Sequence, residues 1–141
     1  KLASRDVPLD LGFRAYRVSD SNFKQWNELV SNPEEIRQQA LANLDPLEEG
    51  ATDDDLLTEL LLKRGISPMT EVEDCGAYLF VPSASLAIRL APDLTEAEFS
   101  EILTSGAQTI LLLSRALGTN ETLRMNLTLQ AEQRGVRVEV V

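Results

Sequence analysis

Glu71, Glu73 and Asp74 crowd together just before Cys75, and Asp53, Asp54 and Asp55 stand consecutively. Carboxylates at this density are the donors a hard divalent cation takes. They admit one catalytic reading, an independent small α/β enzyme using Glu71, Glu73 or Asp74 with a metal. At the Asp run, spacing argues against convergence, because consecutive helical residues point about 100° apart around the axis. Behind Thr52 the run reads instead as the acidic first turn of a capped helix, where negative charge complements the helix dipole. Cys75 follows acids, the opposite of the electropositive setting that activates a thiolate. It is also the sole cysteine, and the chain contains no histidine. Intramolecular disulfides, the usual zinc ligand sets and the Ser–His or Cys–His pairs of hydrolytic catalysis are therefore out of reach. The glycines are isolated, so no phosphate loop or dinucleotide fingerprint occurs. These patterns predict no catalytic, cofactor-binding or metal-binding residue in this chain.

Aromatic side chains offer a second kind of chemistry, stacking. Tyr16, Phe23 and Trp26 lie among Arg14, Arg17 and Lys24, a combination with which nucleic-acid-binding modules hold bases. Net charge opposes that use: 13 Lys and Arg against 23 Asp and Glu leave −10, a surface that repels a phosphate backbone. The acid is concentrated between Glu28 and Glu59, opposed there only by Arg37. It reads as a solvated face, with docking on a basic partner as the alternative. A DNA-contacting accessory module is thus the weaker reading and no direct DNA binding is expected. Phe13, Tyr16, Asn22, Phe23 and Trp26 are expected to serve as packing or interaction anchors. Sequons at Asn120 and Asn126 fall in a predicted helix of a chain without a secretion signal and read as coincidence.

The elements that must position these groups follow from periodicity. Phe13, Ala15 and Val18 alternate with Arg14, Tyr16 and Arg17, which predicts a half-buried strand. Ser19 to Asn22 is turn chemistry, and Phe23 with Trp26 has the spacing of a short helical turn. Asn32 and Pro33 open a helix through Ile36, Ala40, Leu41 and Leu44. Thr52 caps a second, in which Leu56, Leu57, Leu60 and Leu61 share a face and Lys63-Arg64-Gly65 ends it. Residues 77–81 and 85–90 read as strands joined by a short hairpin-like connection. A capping box at Thr95 and Glu98 opens a third helix, residues 108–113 form an apolar strand, and Thr119 starts a helix stopped by Gly135. Val136 to Val140 alternates as a last strand.

This order predicts an α/β fold: a small, mainly parallel sheet of about 4–5 strands with flanking helices, preceded by a strand and helices. At 141 residues and 43% hydrophobic, the chain suits one modest core. Residues 1–50 are expected to be a strand and helical lead-in packed on an α/β domain at 51–141, the two forming one unit. No apolar run approaches the roughly 20 residues of a membrane helix, so no membrane partner is expected. Opening on Lys1 without an apolar leader, the chain reads as a fragment of a cytoplasmic protein.

Four ordered stretches resemble the C-terminal region of type III restriction-modification DNA methyltransferases. The first is Asp10-Leu11-Gly12-Phe13-Arg14-Ala15-Tyr16-Arg17-Val18 with Ser21-Asn22-Phe23-Lys24-Gln25-Trp26, similar to the segment just after that family's catalytic domain. The others are residues 56–66, reading Leu-Leu-x-Glu-Leu-Leu-Leu-Lys-Arg-Gly-Ile, the strand 109–113 with its helix, and Leu123-Arg124-Met125-Asn126 leading to Gly135-Val136. Departures occur where the family commonly has Asp and Phe after the apolar strand and this chain has Ser114 and Leu117, and where Lys-Thr-Asn is replaced by Arg124-Met125-Asn126. Only Asn126 keeps its match; it takes no catalytic role and is expected, like Phe13, Tyr16, Asn22, Phe23 and Trp26, to serve as a packing or interaction anchor. For the parent protein the resemblance implies methyl transfer from S-adenosylmethionine to adenine in a specific DNA site. The family's Asp-Pro-Pro-Tyr and Phe-x-Gly-x-Gly motifs are absent from the 141 residues, so adenine holding and cofactor binding lack their groups here. What the resemblance leaves for this chain is assembly, with the rest of the methyltransferase chain, a second methyltransferase subunit or a restriction subunit as partners.

Overall fold

In a computed structural model of the chain, the structure describes residues 15–42, 47–118 and 121–141, the side chains of 41–42 and 121–123 excepted. Helix α1 spans Pro33–Ala42 and α2 spans Asp53–Lys63. Strands β1 (Glu73–Asp74), β2 (Leu79–Val81) and β3 (Leu86–Arg89) follow. The chain continues through α3 (Glu96–Thr104), β4 (Thr109–Leu112), the single turn α4 (Ser114–Leu117), α5 (Glu121–Gln133) and β5 (Arg137–Val140).

The strands form one sheet in the order β1-β2-β3-β4-β5. The architecture is α/β, as the alternation of periods predicts, but the sheet is mixed rather than mainly parallel. The β1–β2 and β2–β3 pairs are antiparallel, whereas the β3–β4 and β4–β5 pairs are parallel. The antiparallel half arises because only Pro82–Ala84 separates β2 from β3, far too short for the crossover that parallel strands need. That 3₁₀ turn closes with Ser85 at φ 48°, in the left-handed region. β1 lacks apolar alternation and was invisible to periodicity.

Two layers of helix enclose the sheet. Leu56, Leu60 and Leu61 of α2 pack with Val81, Leu86, Ile88 and Leu111 on one face. Phe99, Ile102 and Leu103 of α3 and Leu127 and Ala131 of α5 pack with Ala87, Ile110 and Leu112 on the other. Adjacent strand residues thus enter opposite layers, the period of two that a pleated strand imposes. α3 and α5 share a face, as crossovers of one hand between successively advancing strands must. Full burial of each Leu, Ile or Phe contributes about 1.5–3 kcal/mol, which makes this sandwich the main source of stability.

The lead-in departs most from expectation. Residues 15–18 form no strand, and Phe13 and Arg14 lie outside the described residues. Nor are Phe23 and Trp26 on a helical turn: residues 24–27 are irregular, and Phe23 makes an isolated antiparallel bridge with Leu47. Polar contacts and turn residues dominate this segment, and too few of its apolar groups are buried to support regular structure. The expected opening of α5 at Thr119 and the Leu44 end of α1 also lie outside the described residues.

Candidate interaction site

The densest polar arrangement joins the lead-in to α2. Thr52 accepts the Asp55 amide and caps α2. Glu59 then falls on the flank of the apolar stripe that buries Leu56 and Leu60. Its carboxylate accepts from Ser21 Oγ at 2.5 Å, from the Asn22 backbone amide at 2.7 Å and from Asn22 Nδ2 at 2.9 Å. Lys63, one turn on, pairs with the same carboxylate at 2.8 Å, and its ammonium lies 4.3 Å from the centre of the Phe23 ring. The Asn22 carbonyl accepts the Glu48 amide at 2.8 Å, and Phe23 packs on the α2 core layer beside Leu47.

Partial burial disfavours the charged form of Glu59, yet the hydrogen bonds from Lys63, Ser21 and Asn22 outweigh it and hold the carboxyl at about 2. Glu59 is thus an ionised structural clamp, since a group so firmly deprotonated and so fully bonded has no proton to move. Above it lies an open cleft of about 1020 Å³ between residues 15–22 and α2, with Arg17, Asp20, Asp54 and Asp55 on its walls. The Tyr16 hydroxyl donates to the Pro68 carbonyl at 3.2 Å at the cleft's edge.

The other anchor candidates stand apart. Trp26 is half exposed. Asn126 is exposed on α5 and lines a second groove, of about 590 Å³, between that helix and β5. Met125, Leu129 and Val140 make this groove mostly apolar.

The carboxylates near Cys75 do not converge. Among the described residues no group of three or more acids, cysteines or histidines is placed to hold a metal ion. Glu73 and Asp74 are exposed in β1, and Asp74 accepts the Gly76 amide at 2.8 Å. Asp53 pairs with Arg115 at 3.2 Å, and Arg115 also reaches the Leu90 carbonyl at 2.7 Å, binding α2 to α4 and the end of β3. Periodicity missed Arg89, which is buried in β3, pairs with Glu98 at 3.1 Å and donates to the Ala77 and Pro92 carbonyls. It missed Glu59 as well, although the i,i+4 spacing of Glu59 and Lys63 was there to be read.

Comparison of the chain with protein-family models, with curated proteins and with solved structures found no match in any of the three.

Proposed function

We propose that this chain is a non-catalytic assembly domain from the C-terminal region of a cytoplasmic, site-specific adenine DNA methyltransferase of the type III restriction-modification class. The observation that carries the proposal is the Glu59 clamp. Two stretches of the resemblance, one holding Ser21, Asn22 and Phe23 and the other holding Glu59 and Lys63, are far apart in sequence and bonded together in space. Such a clamp supports a segment leading in from a preceding catalytic domain and docked on the α/β unit. Net charge −10 further favours docking on protein over contact with DNA. The parent would carry S-adenosylmethionine on other residues.

The chain is expected to be inert toward S-adenosylmethionine in titration calorimetry and to bind a cognate restriction or methyltransferase subunit. Micromolar cofactor binding by the chain would sink this reading.

A further inference from the structure

β5 is an outermost strand, and among the described residues nothing pairs with its outer edge. The Arg137 amide bonds the Gln108 carbonyl at 2.9 Å and the Val141 amide bonds the Leu112 carbonyl at 3.0 Å, both toward β4. Strand alternation therefore turns the backbone groups of Val138 and Val140 outward. An open edge of this kind is a template for a further strand. Its side chains divide cleanly: Val136 and Val138 pack toward α5, while Arg137 and Glu139 lie on the α2 face.

We propose that this edge pairs antiparallel with the same edge of a second copy of the chain, with Val138 on the twofold axis. The inference deepens the assembly reading and rests on its claim that the chain pairs with others, but not on the methyltransferase resemblance. Register decides the occupant. With Val138 opposite Val138 of the second copy, the outward groups of the two strands meet, and the Val140 amide reaches the Val136 carbonyl of the second copy. Arg137 then faces Glu139 of the second copy twice over, in non-hydrogen-bonded pairs where side chains come closest. Moving the axis to residue 137 opposes Arg to Arg, and moving it to 139 opposes Glu to Glu.

Both charges already have partners within the chain, which pairing across the edge would share. Arg137 is 77% exposed and only 3.7 Å from Glu139 Oε1, while Glu139 Oε2 is held by Arg64. On the other face, Met125, Leu129 and Val140 are exposed at 74%, 56% and 44% around the α5–β5 groove. Strands about 4.8 Å apart would bring the two α5 helices alongside and cover this apolar patch with its own copy, the isologous geometry of a twofold dimer.

Sedimentation of the chain over a concentration series is expected to show a monomer–dimer equilibrium. Arg137→Glu sets like charges opposite each other and should weaken it by about tenfold or more. R137E and E139R chains, each impaired alone, should pair on mixing, because each supplies the charges the other lacks. Isotope-filtered contacts between Val138 methyls of labelled and unlabelled wild-type chains read the register without substitution. A wild-type chain monomeric throughout, a dimer without Val138 contacts, or R137E dimerising as well as wild type overturns the proposal. If restriction-subunit binding survives such a result, the assembly reading stands without the edge pairing; if both fail, the reading falls too.

Discussion

Glu59 has a side chain only 15% exposed, where a carboxylate loses much of its hydration, and it recovers that loss through Ser21, Asn22 and Lys63. These partners favour the charged form, so the folded carboxyl is depressed from 4.5 to about 2. A group depressed in this way stabilises the fold above its unfolded value and loses that contribution as pH falls through the folded one. Stabilisation by Glu59 is therefore full above about pH 4.5 and fades toward about pH 2. Glu59→Gln keeps the shape and removes the charge; discounted for residual exposure, it should cost about 1–3 kcal/mol at neutral pH. Urea unfolding across a pH series should show the gap between wild type and variant constant from neutral to mildly acidic pH, then shrinking. A gap independent of pH would mean that charge is not what the clamp uses. Sequence alone pointed to Asn22 and Phe23 but not to their partner, because a Glu beside a leucine stripe looks like any solvated helix flank.

Whole elements were legible wherever one local signal sufficed. Thr52 and Thr95 start α2 and α3 where their caps predict, and the 3.6-residue period picks out the buried residues of both helices, except that Leu57 is only partly buried. Strand direction was not legible to the same degree. β1 has two residues without apolar alternation, and its antiparallel partner is declared only by the register Glu73–Phe80. The α3 cap is complete: Thr95 accepts the Glu98 amide at 3.2 Å and Glu98 accepts the Thr95 amide at 2.8 Å. Those bonds to Thr95, aided by Arg89, hold the Glu98 carboxyl below its ordinary range. Because α3 supplies Phe99 and Ile102 to the core, fraying its first turn loosens a buried layer. Thr95→Ala is expected to cost about 1 kcal/mol, read as a lower urea midpoint with an unchanged slope. A changed slope would mean that the variant alters the compactness of a state rather than the cap.

Across the whole molecule the two helical layers are attached unequally. α3 and α5 cover one face of the sheet, and the other is closed by α2, through which the lead-in reaches the core. α1 is mostly exposed, its Gln39 accepting the Asn27 amide at 3.0 Å within the lead-in itself. The lead-in therefore has less burial to lose than β3 or β4, and local opening should follow that order. The Glu48 amide, bonded to the Asn22 carbonyl, reports the lead-in, and the Leu113 amide, bonded to the Arg89 carbonyl, reports the sheet. Native-state hydrogen exchange should find Glu48 the faster of the two. Phe23→Ala removes the ring packed beside Leu47 and under Lys63, and should speed exchange at Glu48 several-fold or more while leaving Leu113 nearly unchanged. Equal acceleration at both amides would mean that lead-in and sheet open as one cooperative unit, and that Phe23 belongs to the global core rather than to a separately opening strap.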